Sequence, residues 1–201
     1  MLAIIDYDAG NIKSVEKAFE YLGQEAVVTK DSGLIKSADK IVLPGVGAFG
    51  DAMKRLKEYR LIDTIHEVID AGKPFLGICL GLQLLFDRSE ESPGAEGLGI
   101  LHGRIVRFPD NTGLKIPQIG WNSLDIRPGA RLFEGIPDQS YVYFVHSYYL
   151  EAEDESVVAA TTEYAAHVHA AVEKNNIFAC QFHPEKSSDA GLRILNNFAN
   201  L

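Results

Sequence analysis

The first half of the chain alternates between two hydrophobic patterns. Short continuous apolar runs are typical of strands buried on both faces, whereas apolar residues spaced three or four apart predict amphipathic helices. Strands that alternate with helices in this way predict a parallel sheet covered by helices on both faces. The runs predict strands at 2–6, 25–29, 40–45 and 73–78, and the spaced patterns predict helices at 11–23, 49–59, 61–71 and 79–89.

Beyond residue 90 the pattern changes to shorter and more polar strand candidates. They lie at 103–108, 121–126, 141–145, 156–161, 167–173 and 177–182, before a final helix predicted at 190–201. No internal repeat, linker or low-complexity segment interrupts the chain. We therefore expect a single α/β domain over residues 1–201, with a mostly parallel central sheet flanked by helices and an additional antiparallel sheet region.

Composition and charge exclude several classes of function. The 201 residues carry a net charge of −9, which disfavours nucleic-acid binding because phosphate contacts need a basic face. The N-terminal apolar run breaks at Asp6 without a basic leader, and no stretch approaches the roughly 20 apolar residues of a membrane span. We therefore expect a cytoplasmic protein without a membrane partner, in which Cys79 and Cys180 are free thiols.

Cys79 is the candidate nucleophile. It stands where the strand at 73–78 meets the following helix, an edge at which reactive groups collect in parallel sheets. The spacing Gly77-Ile78-Cys79-Leu80-Gly81 is that of a nucleophile elbow, in which flanking glycines permit a sharp turn. The start of a helix also favours a thiolate, and the N–H of Leu80 is a candidate oxyanion donor. Taken alone, Cys79 also fits a buried cysteine in a tight turn.

The candidate base is His183, with Glu185 as its orienting carboxylate. A cysteine nucleophile needs an imidazole, and His183 ends a hydrophobic strand in the segment CQFHPEKSS. Pro184 favours extended geometry at His183, so side chains 183 and 185 are expected to point the same way. The chain has no Cys-x-x-Cys or His-Glu-x-x-His motif, and we therefore expect neither a metal site nor a cofactor.

A glycine-rich loop follows the third predicted strand. The segment LPGVGAFG at 43–50 carries three glycines, which suits a loop whose backbone approaches a ligand or reverses an amide. It lacks the lysine of a P-loop and the full dinucleotide fingerprint, so nucleotide binding is disfavoured. The N–H of Val46 is the second candidate oxyanion donor, after an adjustment of this loop.

Together the elbow, the late His-Pro-Glu and the Pro-Gly-rich loop resemble the class I (triad) glutamine amidotransferases. The resemblance spans nearly the whole chain and implies a flavodoxin-like fold that hydrolyses L-glutamine through a cysteine thioester. The segments DYDAGNIKSV, IPQIGWN and YFVHSY narrow it to glutaminase subunits that pass ammonia to a cyclase in histidine biosynthesis. The sequence departs from that pattern at Asp8, usually a small residue, and at Gln118, usually histidine.

The resemblance also implies roles for further residues. The partner is expected to be a (β/α)₈ cyclase subunit that forms a heterodimer with this chain and activates it by realigning residues 44–47. Glutamine is expected to contact Gly47, Gln83, Glu91, His146, Ser147 and Tyr148. The partner is expected to contact Asn11, Gln118, Trp121, Tyr143 and Lys186.

Three other hypotheses remain open from the sequence. The chain could supply ammonia to another synthase built on a barrel partner, such as pyridoxal phosphate synthase. A cysteine hydrolase of the α/β-hydrolase type is disfavoured, because in that fold the acid precedes the histidine along the chain. A binding module that has kept the scaffold without its catalysis is the third.

Overall fold

The computed structural model describes residues 1–8 and 10–201. The described residues form six helices, which are α1 Ile12–Tyr21, α2 Ser32–Ser37, α3 Phe49–Glu58, α4 Leu61–Asp70, α5 Leu80–Leu84 and α6 Ser188–Ala199. They also form strands β1 Leu2–Ile5, β2 Ala26–Thr29, β3 Lys40–Leu43, β4 Phe75–Ile78, β5 Arg88–Ser89, β6 Gly103–Arg107, β7 Gln118–Ser123, β8 Asp125–Ile126, β9 Tyr141–His146, β10 Tyr148–Ala152, β11 Val158–Glu163, β12 His167–Lys174 and β13 Ile177–Cys180.

Five parallel strands form the centre of the main sheet, in the order β2-β1-β3-β4-β13. The last of these comes from the second half of the chain and lies beside β4, with Cys180 opposite Ile78. The two strands therefore end at the same level of the sheet edge. This pairing brings Cys79 next to the segment that carries His183, although the two are far apart along the chain.

The rest of the main sheet is largely antiparallel. Strands β12, β10 and β6 continue it beyond β13 in antiparallel pairs, and the short β5 joins β6 in parallel. Strand β11 pairs with β12 and with β8. Strands β7 and β9 form a separate two-stranded antiparallel sheet. The expected mixed architecture, with a mostly parallel centre and an added antiparallel region, is confirmed.

Helices cover both faces of the parallel strands, as the continuous apolar runs predict. Strands β1 and β4 are buried along their whole length. On one face Phe19 of α1 and Phe198 of α6 pack in one cluster, and on the other Leu56 of α3 and Ile65 of α4 pack in a second. No helix of the described residues is both long and apolar enough to cross a bilayer.

The structure departs from the predicted elements where local pattern is weak. Helix α2 has six residues with only Ile35 buried, which is too short to show a period, and the side chain of Asp31 caps it. Strand β10 was not predicted, and α5 ends at Leu84 although the apolar run predicts a helix to residue 89. Because every residue of α5 is buried, its hydrophobic pattern cannot mark its end.

Candidate active site

Cys79 lies at a sharp turn between β4 and α5. Its backbone adopts φ 55° and ψ −109°, which a non-glycine residue rarely takes and which raises the side chain out of the strand. The flanking glycines make room for the turn: a Cβ on Gly77 would lie 2.7 Å from the carbonyl oxygen of Gly81. A Cβ on Gly81 would overlap the carbonyl oxygen of Leu43. The local geometry is that of the elbow that the sequence predicts.

His183 and Glu185 follow β13 at the same edge of the sheet. The backbone at His183 is extended, but residues Pro184–Lys186 form one 3₁₀ turn, so the extended geometry expected through residue 185 is wrong. The turn carries the Glu185 carboxylate back to the ring, where its Oε1 lies 2.9 Å from Nδ1 of His183. Both side chains are buried, which shields the pair from water.

The charge state of His183 follows from its two neighbours. Burial lowers its pKa, but hydrogen bonds and charge interactions with Cys79 and Glu185 outweigh burial and raise the pKa to about 10. A proton on the imidazole between a sulfur and a carboxylate is therefore favoured at neutral pH. The arrangement holds an imidazolium that can pair with a thiolate and later donate its proton.

The N–H of Leu80, one of the two candidate oxyanion donors, is already hydrogen-bonded within the protein. The N–H of Leu80 donates to the carbonyl oxygen of Gly45 at 3.3 Å. Val46, the next residue, is 39% exposed and has its side chain next to Gly10. Gly47 adopts φ 106°, a conformation that favours glycine, at the end of the loop 44–47. Donation to a substrate by Leu80 requires this loop to withdraw the Gly45 carbonyl.

A pocket of about 270 Å³ opens above the sulfur. Both Cys79 and His183 line it, and so do all six residues expected to contact glutamine. The remaining residues of its wall are Val46, Leu80, Val145 and Lys186. The structure therefore brings together at one cavity the candidate nucleophile, the candidate base and every predicted glutamine contact.

The polar groups of the pocket are held by bonds to backbone. The Nε2 of Gln83 donates to the carbonyl oxygen of Tyr148 at 3.2 Å, and Oε2 of Glu91 accepts from the N–H of Phe49 at 2.8 Å. Burial lowers the pKa of His146 to about 4, against an opposing hydrogen bond to Tyr148, so its ring is neutral at neutral pH. The pocket wall thus carries one carboxylate, that of Glu91, and two positively charged side chains, His183 and Lys186.

The predicted partner contacts lie in two different settings. Trp121 of β7 and Tyr143 of β9 pack edge to face with centroids 5.9 Å apart, and Trp121 is 51% exposed. The backbone of Tyr143 reaches the active site, because its carbonyl oxygen accepts from the N–H of His183 at 2.9 Å. Lys186 is exposed at the pocket rim.

The side chains of Gln118 and Asn11 both make contacts within the protein. The side chain of Gln118 is only 3% exposed and lies 2.7 Å from Nε2 of His146, so little of it is open to a partner, and its partner contact stays a prediction. The amide of Asn11 donates to Oε1 of Glu185 at 2.6 Å, which places Asn11 against the triad carboxylate.

Gln181 is a site residue that sequence reasoning missed. Its fully buried amide lies 3.7 Å from the Cys79 sulfur and accepts from Gln83 at 2.9 Å. The available signal was a polar residue inside an apolar strand, two positions before His183 and hence on the same side of an extended chain. No cluster of three or more metal-ligating side chains occurs among residues 1–8 and 10–201.

Known protein sequences are similar to this chain along nearly its whole length. The family model "Glutamine amidotransferase class-I" matches residues 3–201. A protein of Chlorobaculum tepidum named imidazole glycerol phosphate synthase subunit HisH is 53% identical over 200 residues, covering 99% of each chain. Proteins of the same name from Syntrophotalea carbinolica and Methanothermobacter thermautotrophicus are each 51% identical, covering 100% of this chain and 100% and 98% of their own.

Solved structures agree on the fold. A crystal structure of a glutamine amidotransferase superimposes with a TM-score of 0.76 at 20% identity, covering 98% of each chain. The structure of PurLQS from Thermotoga maritima gives a TM-score of 0.75 at 20% identity, covering 99% of this chain and 97% of that one. With a family match over nearly its whole length and half of its residues shared with full-length relatives, the chain belongs to the class-I glutamine amidotransferase family.

Proposed function

We propose that this chain is the glutaminase subunit of an imidazole glycerol phosphate synthase, formed by a single amidotransferase domain over residues 1–201. It hydrolyses L-glutamine to glutamate and ammonia and passes the ammonia to a cyclase. The observation that carries the proposal is the shared pocket of Cys79 and His183, with Glu185 at 2.9 Å from the imidazole. Full-length relatives with this name, at about half identity, support the choice of synthase.

The chemistry follows from the triad. The Cys79 thiolate attacks the side-chain amide carbon of glutamine, and the carbonyl oxygen becomes an oxyanion. His183, held by Glu185, donates its proton to the leaving nitrogen, so that ammonia departs and a γ-glutamyl thioester remains. His183 then takes a proton from water, which attacks the thioester and releases glutamate. No metal or organic cofactor takes part in this sequence.

The oxyanion step depends on the loop 44–47. In this structure the Gly45 carbonyl oxygen accepts a hydrogen bond from the Leu80 N–H at 3.3 Å. Turning the loop frees that donor and brings the Val46 N–H toward the pocket, so the two amides can hold the oxyanion. Such a turn would couple hydrolysis to the partner and prevent waste of glutamine.

The partner of this chain is a (β/α)₈ cyclase subunit in a heterodimer. Ammonium dominates free ammonia at neutral pH and is not nucleophilic, so the nitrogen must reach its acceptor by a protected path. The acceptor is a phosphoribulosyl-formimino aminoimidazole carboxamide nucleotide, and the products are imidazole glycerol phosphate and the aminoimidazole carboxamide ribotide. The exposed Trp121 and the half-buried Tyr143 that packs against it face the cyclase, together with Asn11 and Lys186.

The test is nitrogen-source complementation with a purified candidate cyclase. The wild-type chain should support product formation from either glutamine or ammonia, whereas Cys79→Ala should support it from ammonia alone. A glutamine-dependent product from Cys79→Ala would contradict the assigned nucleophile. Product with a pyridoxal phosphate synthase partner and none with the cyclase would redirect the proposal to that synthase. Failure of a glutamine-like diazoketone to label Cys79 would indicate a silent binding module.

A further inference from the structure

The Cys79 sulfur lies where a thiolate would call for hydrogen-bond donors besides the histidine. Helix α5 has only five residues, so the positive end of a helix contributes less to the sulfur than the longer predicted helix would. The sulfur lies in a nearly buried position, where an anion without hydrogen-bond donors is costly. The structure supplies such a donor in Gln181.

The Gln181 amide lies directly against the sulfur. Its Nε2 is 3.7 Å from Sγ of Cys79, and the side chain is 0% exposed. It enters the site on the strand end that precedes His183, and its backbone N–H donates to the carbonyl oxygen of Ala170 at 2.8 Å. The amide is therefore held in place by the sheet and excluded from water.

The direction of the Gln181 amide is fixed by its neighbours. The Nε2 of Gln83 donates to the carbonyl oxygen of Tyr148 at 3.2 Å, and that oxygen can only accept. The same Nε2 donates its second hydrogen to Oε1 of Gln181 at 2.9 Å. With Oε1 committed to Gln83, the NH₂ group of Gln181 must point toward the sulfur. A chain of hydrogen bonds that starts at a backbone carbonyl therefore ends on the nucleophile.

We propose that Gln181 is a further residue of the glutaminase reaction, which orients the Cys79 sulfur and stabilises its thiolate with an amide N–H. A thiolate accepts hydrogen bonds more strongly than a thiol, so the contact favours the reactive form. The same chain links the sulfur to Gln83 and Tyr148, two expected glutamine contacts. The proposal concerns the nucleophile of the proposed function but not the choice of synthase.

Two substitutions distinguish the contribution of the Gln181 amide N–H from that of its amide oxygen. Gln181→Met keeps the length of the side chain and loses both groups, whereas Gln181→Glu keeps an acceptor for Gln83 and loses the amide donor. Alkylation of Cys79 by iodoacetamide is followed against pH in the full chain, with the adduct located by mass spectrometry. The midpoint of the wild-type profile should move upward by about one pH unit in both variants.

Steady-state kinetics with cyclase and nucleotide supply the second readout. Both variants should lower kcat by about 10-fold, and only Gln181→Met, which releases Gln83, should also raise the KM for glutamine. If Gln181→Met does not fold, Gln181→Leu takes its place, because a carboxylate at position 181 would raise the midpoint by repelling the thiolate even if the amide contributed nothing. The alkylation needs neither glutamine nor a cyclase, so its outcome is independent of the proposed synthase.

The control is Thr64→Val. Thr64 is also a buried polar residue, but its hydroxyl lies 2.7 Å from that of Ser32, between α4 and α2, and it does not line the pocket. The alkylation midpoint of this variant should stay at the wild-type value. The proposal is overturned if the midpoint is unchanged in Gln181→Met, or if Thr64→Val moves it as far as Gln181→Met does.

Discussion

The nucleophile side and the oxyanion side of this pocket differ in how far they are assembled. Cys79, His183 and Glu185 are buried at the ends of two paired central strands and held by hydrogen bonds. In the loop 44–47, Val46 is exposed, and the Gly45 carbonyl accepts a hydrogen bond from the Leu80 N–H, which is proposed to bind the oxyanion. The difference indicates that the sheet positions the three proposed catalytic residues, whereas the proposed oxyanion site forms only after the loop 44–47 rearranges.

The largest expected loss of activity comes from replacing Glu185, the carboxylate that contacts His183. Glu185→Gln removes the charge that holds the His183 proton and orients the ring, and should lower glutamine-dependent turnover by about 10³-fold or more. Ammonia-dependent turnover of the same complex should not change, because the cyclase is intact. Glu153→Gln, at an exposed carboxylate, is the matched control. Equal losses with glutamine and ammonia would contradict a role confined to the triad.

The elbow itself can be broken at Gly81. Since a Cβ there overlaps the Leu43 carbonyl, Gly81→Ala should cost about 3 kcal/mol or more of unfolding free energy. Gly23→Ala is the control: it meets no neighbour and costs only the strain of its positive φ, about 1 kcal/mol. Urea unfolding measures both. Equal costs would show that the close approach to the Leu43 carbonyl is not what requires a glycine at position 81.

The proposed contact with the cyclase can be weakened at Trp121. Trp121→Ala should weaken cyclase binding by about 30-fold, as expected for an aromatic side chain that becomes buried at the centre of an interface. Alkylation of Cys79 should be unchanged. Tyr21→Ala is the control, because Tyr21 is 78% exposed at the end of α1, remote from the sheet of β7 and β9. Titration calorimetry measures the affinities. Normal binding by Trp121→Ala would remove this sheet from the interface.

The smallest effect concerns the pH dependence of the triad. The His183 pKa is raised from 6.5 to about 10, so its stabilisation is full below about pH 6.5 and is lost as pH rises through about 10. The gap in unfolding free energy between wild type and His183→Gln should therefore shrink by about 1–3 kcal/mol from pH 6 to pH 10. Urea unfolding at several pH values measures it. A gap that is constant or grows would contradict the imidazolium assignment.

The fold was predictable where patterns are local. Buried strands and amphipathic helices of the first half follow from their periods, but the parallel pairing of β13 with β4 does not. That pairing joins residues about a hundred positions apart and depends on packing that no short window records. Helix α2 and strand β10 escaped prediction because a six-residue helix and a half-polar strand carry little periodic signal.

The site was predictable where a motif carries chemistry. Spacing around Cys79 and His183 indicates a nucleophile and a base, and the structure brings both to one pocket. The direction of a side chain was harder to predict from the sequence. Gln118 contacts His146, and Asn11 contacts Glu185. Gln181 directly follows the apolar strand β13, and a single polar residue there has several explanations until its neighbours are known.

The most direct test of the account measures glutamine hydrolysis by the isolated chain and by the chain with cyclase and its nucleotide ligand. A triad assembled beside an unassembled oxyanion site predicts weak activity alone and an increase of about 10²–10³-fold in the liganded complex, the usual worth of an oxyanion donor. Full activity of the isolated chain would contradict the account, because it would show that the loop 44–47 needs no partner to turn.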